Sequence, residues 1–339
     1  MLADCDPAGL LLRVVRHLLR VDAPIGLASY LLVPIGAWLA YRQETGRNGG
    51  PSSLGGFVRY CVPLDVVTSR SCRIDLIYVS LKHFLNAWLL VPILVSSVVV
   101  TNLTRGFWNE TLGSRPQAAC SPWLLAFAIA ACVLVQDFTQ FLIHYAHHKR
   151  TTLWTVHKVH HSAETLTFGL SVKRTHMIEE AINLVLTSVV LGLTIGSLSY
   201  ALGVAIWRSE MWGIDCWFLL SLFSFWHLRH SHMSLSYGWL EHVLQSPAQH
   251  QLHHSLEREH WDRNFGLLFS FWDKLFGCFL RSVDPGSYRV GLPAESRADY
   301  DSVLKLYVTP FLKIGEMVIR VADRGCDEMA GAYSTQRRS

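Results

Sequence analysis

Between residues 83 and 226 the chain carries four apolar stretches, near 83–101, 122–143, 181–201 and 207–226. A helix needs roughly 20 mainly apolar residues to cross the hydrocarbon core of a bilayer, and each stretch has that length. The fold is therefore expected to be all-α and polytopic. Composition agrees, since 50% of residues are hydrophobic and only 17% are charged, which is not the balance of a soluble enzyme. A shorter apolar run at 24–41, interrupted by Pro24 and Pro34, reads as membrane-embedded with no topology assigned.

Charge sorts the four stretches into two transmembrane helical hairpins. The 102–121 connection carries only Arg105 and Arg115, and the turn at 197–206 carries no Lys or Arg. Lys149, Arg150, Lys158, Lys173, Arg174 and most of 227–339 fall on the opposite side. By the positive-inside rule that side is cytoplasmic, so a helical cytoplasmic cap is expected there. A formal charge of +4 with no basic block argues against nucleic acid as a partner. Eight scattered cysteines without a C-x-x-C pair argue against a disulfide framework or a thiolate zinc site. The N-terminus lacks a basic region before its apolar residues and does not read as a cleaved signal peptide.

Histidine is distributed unevenly: fifteen of the seventeen lie between His144 and His260. They fall into boxes. His144-x3-His148 closes the 122–143 stretch, followed by His157-x2-His160-His161 and His250-x2-His253-His254. Residues at i, i+3 and i+4 lie on one side of a helix, so each box is expected to bring its imidazoles together from a single turn. Imidazole is the commonest protein metal ligand, and eight candidates exceed what one ion accepts. A site for two metals is expected. Upstream of His144, Asp137 and Gln140 share its helix face, and an ionisable residue inside a span is costly enough to suggest a role. Both are candidates for steadying a ligand imidazole from behind. His147, His227, His232, His242 and His260 are read as supporting or surface residues.

The ordered motifs resemble the fatty acid hydroxylase / sterol desaturase superfamily of membrane di-iron enzymes. Asp137 to His148 is similar to its opening box, "LWTVHKVHHS" to its second, and "RTH" at Arg174–His176 to its Arg-x-His element. "HSHMSLSYGWLEHVLQSPAQHQLHHS", "DRNFG" and "FWDKLFG" are similar to the stretches that follow. Tyr145, Met177, His232 and Cys278 depart from the usual pattern, which leaves the substrate subfamily open. The resemblance implies metal ligation by His144, His148, His157, His160, His161, His230, His250, His253 and His254, with His176 as a tenth candidate. It implies an N-terminal region at 1–82, a catalytic domain at 83–280, and a cytoplasmic segment at 281–339 with a disordered tail.

Imidazole alone does not select the metal. Two iron ions, with dioxygen as co-substrate, are what the resemblance implies. The chain lacks a G-x-G-x-x-G nucleotide fingerprint, so electrons are expected from an external ferredoxin- or cytochrome b5-type protein with its reductase. The expected function is oxygen-dependent hydroxylation of a membrane lipid, such as a sterol or fatty acyl chain. The setting is a bacterial inner membrane or endoplasmic reticulum, with the metal site facing the cytoplasm. A desaturase sharing the same site is the alternative, and a metal-binding or transport protein ranks lower. A zinc hydrolase would want H-E-x-x-H, which is absent.

Overall fold

The structure is a computed structural model that describes residues 24–89, 97–116, 121–203, 206 and 225–336. The described residues contain helices, turns and two isolated β-bridges, with no named strand. Eight helices matter for the site: α1 (Pro24–Arg47), α2 (Arg70–Leu89), α3 (Ser97–Leu112), α4 (Pro122–Lys149), α5 (Thr151–His161), α6 (Met177–Leu202), α7 (Pro247–His253) and α8 (Val303–Gln336).

Two of these, α4 and α6, are long and apolar enough to cross a membrane. Only 17% of the most apolar window of α6 is buried, and 39% of that of α4. Apolar side chains left so uncovered suit lipid, where a soluble core helix would bury them. The expected stretches at 122–143 and 181–201 correspond to α4 and α6. The one at 83–101 lies partly outside the described residues, and the one at 207–226 almost wholly so. The run at 24–41 becomes α1, a single helix that contains Pro34.

Small residues bring α6 against α3. A Cβ on Gly192 would stand 2.5 Å from Val100 Cβ, and one on Gly196 would stand 2.7 Å from Thr104 Cβ. The Gly-x3-Gly spacing puts both on one face, where the backbones can touch. α6 also packs on α4 through a cluster of Ala128, Ile129, Cys132 and Ile195.

Arg150 makes the connection that matters most. Its backbone is extended (φ −114°, ψ 120°), and it caps the end of α4 and the start of α5 at once. A one-residue connection folds α5 back against the last turn of α4, so the first two histidine boxes meet. α2 and α8 brace the outer side of α5, where Tyr78, Val79, Val159, Leu292, Tyr300 and Leu306 form a buried cluster. A buried ion pair ties α2 to the 171–176 turn: Arg174 Nη1 donates to Asp75 Oδ1 at 2.8 Å, and Ser171 Oγ donates to Asp75 Oδ2. Removing one partner would strand a buried charge, at a cost of about 3–5 kcal/mol. α8 runs to Gln336, through the polar end that the sequence leads one to expect without structure.

Candidate metal centre

Each histidine box has a local reason for its shape. The third sits on α7, which starts with a capping box: Ser246 Oγ accepts from Gln249 N, and Gln249 Oε1 accepts from Ser246 N. Pro247 follows at the first helical position, where its missing N–H costs nothing. His250 and His253 lie on the helix, and His254 is its C-cap. His230 ends a single helical turn, Trp226–Arg229. Gln251 Nε2 donates to the Leu228, Ser231 and Met233 carbonyls and so holds that turn against α7.

Nine imidazoles gather into two groups. His144, His148, His157, His161 and His253 form one; His160, His230, His250 and His254 form the other. Within each group the ligand nitrogens all lie within 4.8 Å of one another. Closest approaches are Nε2 to Nε2: His148–His161 3.2 Å, His253–His161 3.1 Å, His160–His230 2.9 Å, His230–His250 2.8 Å and His250–His254 3.4 Å. With metal–nitrogen bonds of about 2.1 Å, neighbouring ligands stand about 3.0 Å apart in an octahedron and about 3.4 Å apart in a tetrahedron. The spacing is that of a coordination shell.

Each H-x2-H-H box divides between the groups, where the sequence leads one to expect its three rings to converge together. His157 and His161 join the five-membered group while His160 crosses over; His250 and His254 join the four-membered group while His253 crosses over. The reason is helical geometry. Positions i and i+4 lie about 40° apart around the axis, whereas i+3 lies about 100° from i+4.

In the five-membered group, four of the nitrogens turned away from the centre have neighbours of their own. His144 Nδ1 donates to Phe265 O at 3.0 Å, His157 Nδ1 to Glu179 Oε1 at 2.9 Å, and His253 Nδ1 to Arg263 O at 2.6 Å. His148 Nδ1 lies 3.5 Å from Asp262 Oδ1. These contacts fix the tautomer and aim Nε2 inward. The Nε2 atoms of His144 and His157 are buried without any partner, as an atom reserved for an ion would be. Burial pushes His160 and His253 down to about 3, and it drives His161, His230, His250 and His254 well below the ordinary imidazole range. All are therefore neutral, with a lone pair free to bind a metal. The donor set fits two transition-metal ions.

His176 stands apart. Its Nδ1 accepts from Ile178 N and caps α6, while Nε2 donates to Tyr307 O at 3.2 Å. Both nitrogens are occupied by backbone. Asp137 also differs from the expectation, because it touches no histidine. Its carboxylate accepts from Leu268 N, Phe269 N and Trp272 Nε1 at 2.6, 3.2 and 2.8 Å. It holds the loop whose Phe265 carbonyl steadies His144. Asp273 does likewise from the other side, accepting from Phe265 N and Gly266 N, and burial pushes it up to about 7. In that loop Asp262 and Asn264 adopt left-handed conformations (φ 58° each), which Asp and Asn tolerate best after Gly. Gln140 lines a cavity beside the histidines.

Sequence reasoning missed Glu179 and Arg229. Glu179 is buried in the first turn of an apolar helix, and an acid in that position marks a functional residue by the argument applied to Asp137. Arg229, directly before His230, is 1% exposed and donates to Gly266 O. Of the weaker histidines, His232 Nε2 donates to Tyr60 O, His260 Nδ1 meets Ser255 Oγ, and His242 stacks on Phe279.

Two cavities reach the centre. One of about 280 Å³ lies among α4, α6 and the 265–267 loop and exposes His144, His157, His160, His230 and His250. The other, of about 400 Å³, opens past Trp154 and Trp261 onto His148, His161 and His253.

Residues 129–278, which include every member of both groups, match the fatty acid hydroxylase family profile. Similar proteins include an ornithine lipid hydroxylase, OlsE, of Rhizobium tropici, 25% identical over 51% of this chain and 48% of that protein. An alkylglycerol monooxygenase of Caenorhabditis elegans is 29% identical over 50% of this chain and 30% of that protein. A mouse cholesterol 25-hydroxylase is 28% identical over 55% of this chain and 57% of that protein. The chain thus spans about half or less of the length of the first relatives it matches. No solved structure matches it. Over residues 129–278, then, the chain is similar to the fatty acid hydroxylase family and to these relatives, and its two long, largely uncovered apolar helices suit a membrane protein.

Proposed function

We propose that this protein is an oxygen-dependent lipid hydroxylase whose two histidine groups hold a pair of iron ions. One observation carries the reading: nine imidazoles, seven of them on buried residues, are spaced as two coordination shells, and five of them border a largely apolar cavity beside two helices long and apolar enough to cross a membrane. Names of similar proteins point the same way, since each oxidises a lipid or sterol.

His144, His148, His157, His161 and His253 would hold one ion, and His160, His230, His250 and His254 the other. Iron bound there supplies the activation of dioxygen that an unactivated C–H bond requires. The chain's own residues do the rest. Ile143, Val172, Phe265 and Leu267 line the cavity and exclude water from an apolar chain entering from the bilayer. Glu179, Phe265 and Arg263 keep their imidazoles in one orientation through turnover. One oxygen atom enters the product, the other leaves as water, and two electrons come from an external ferredoxin- or cytochrome b5-type donor. The catalytic unit is 83–280, built as two membrane hairpins with the centre in a cytoplasmic cap.

The test is turnover in membranes supplied with an electron donor, a lipid extract and 18-O2. One labelled oxygen per product supports hydroxylation. A new double bond without label identifies a desaturase built on the same site. Turnover without oxygen, or with no reductant, removes the reading altogether.

A further inference from the structure

His147 belongs to neither metal group, although it lies inside the first box, next to His148, and is 1% exposed. Its Nδ1 donates to Ile143 O at 2.8 Å. A carbonyl only accepts, so the proton sits on Nδ1 and Nε2 presents a bare lone pair. That atom is buried and has no partner. Glu179 shows the same pattern. Its Oε1 takes the proton of His157 Nδ1, while Oε2 is buried and unpartnered. Both residues line the 280 Å³ cavity, within electrostatic reach of each other.

Two nearby donors are directed to other acceptors. Asn183 Nδ2 donates to Glu179 O at 3.0 Å. Lys82 Nζ is spent on Lys173 O, Thr175 Oγ1 and Glu180 Oε1. Two buried acceptors on one wall, neither of them with a hydrogen-bond partner, carry a desolvation penalty that a ligand donor relieves. The same cavity also presents the apolar side chains of Ile143, Val172, Trp226 and Leu267.

We propose that this wall binds a hydrogen-bond-donating group of the substrate, a hydroxyl or an amine, between His147 Nε2 and Glu179 Oε2. The inference rests on the reading of the chain as a lipid hydroxylase and narrows its substrates to lipids with an O–H or N–H close to the oxidised carbon. Closeness follows from the rings. His147 lies 5.3 Å from His157, centroid to centroid, and His157 lies 5.1 Å from His144 and 5.2 Å from His160. A group anchored there is one imidazole away from both metal groups, so the carbon attacked is a few bonds from the anchor and not at the far end of the chain.

Binding to the metal-loaded protein in nanodiscs tests this with four probes of equal chain length: 1-hexadecanol, hexadecylamine, methyl pentadecyl ether and heptadecane. The alcohol or the amine should bind about tenfold more tightly than the ether, the worth of one buried hydrogen bond. Whichever of the two is preferred identifies the donor. His147→Leu should abolish the preference, and His147→Gln, which keeps an acceptor, should retain most of it. Metal content should be unchanged in both variants. Equal binding of alcohol, amine and ether would overturn the proposal, as would a preference that survives His147→Leu. Binding is read without turnover, so a failure here with 18-O2 incorporation intact sinks this inference alone. A donor preference without oxygen incorporation sinks the hydroxylase reading instead.

Discussion

The five-histidine and four-histidine groups share the same boxes but differ in what stands behind them. In the first, His144, His157 and His253 each donate Nδ1–H to a fixed acceptor, and His148 faces Asp262. In the second, the Nδ1 atoms of His230 and His250 are buried with no partner. The first group is therefore oriented by protein before any ion arrives. The second relies more on the ion itself, and one of its members, His230, comes from a single helical turn. The long apolar helix α4 explains the asymmetry: it contributes an i, i+4 pair to the first group and nothing to the second. The stiffer group is thus built on one of the two helices long and apolar enough to cross a membrane.

Removing a ligand should give the largest effect. His253→Ala and His250→Ala are both expected to abolish hydroxylation while leaving the protein in the membrane. They should differ in metal content. His250→Ala should empty the four-membered group and leave the other ion largely bound, because the five-membered group keeps its full set. Metal analysis of purified variants reads this directly. Complete loss of both ions from His250→Ala would show that the groups do not load independently, and the comparison would fail.

A smaller effect is expected from the residues behind the ligands. Titration of the wild type with a chelator should release metal in two steps, with the four-membered group emptied first. Glu179→Gln keeps the shape but weakens the acceptor for His157 Nδ1. It should lower affinity for the more tightly held ion by about 10–100-fold and draw the two steps together. A single release step in the wild type would remove the claimed difference in preorganisation.

Much of this centre was legible in the sequence, for a physical reason. Helical period converts a spacing of three or four residues into a direction, so the boxes foretold which imidazoles gather, and the nine histidines named from the family motifs fall into the two groups. Partition between the groups was less visible, since a box looks like one unit until the turn is built and i+3 diverges from i+4. Long-range partners were not visible at all. Glu179 reaches His157 across 22 positions, and Asp137 reaches the Leu268–Trp272 segment across more than 130. No local pattern encodes such pairings. For the fold, the apolar stretches at α4 and α6 declared themselves by length, whereas the return of α5 onto α4 turns on the extended backbone of Arg150 and on the packing of α2 and α8 behind α5.

Asp137 offers the finest test of how the stiffer group is held, because it acts through a loop and not through a ligand. Three donors converge on its carboxylate: Leu268 N, Phe269 N and Trp272 Nε1. Asp137→Asn replaces one accepting oxygen with an NH2 group, so at least one of these donors loses its acceptor, at a cost of about 1–3 kcal/mol. The loop would still be held by Asp273, which accepts from Phe265 N and Gly266 N. The Phe265 carbonyl that steadies His144 should therefore shift little. Both ions are expected to stay bound, with the chelator step of the five-membered group moved by less than in Glu179→Gln and activity reduced by roughly tenfold, at the mild end of the range for outer partners. Stability should fall more than metal affinity does, since the lost hydrogen bond belongs to the loop. If Asp137→Asn instead empties the five-membered group as completely as a ligand substitution does, then the loop is held by Asp137 alone, and the rigidity assigned to Asp273 is mistaken.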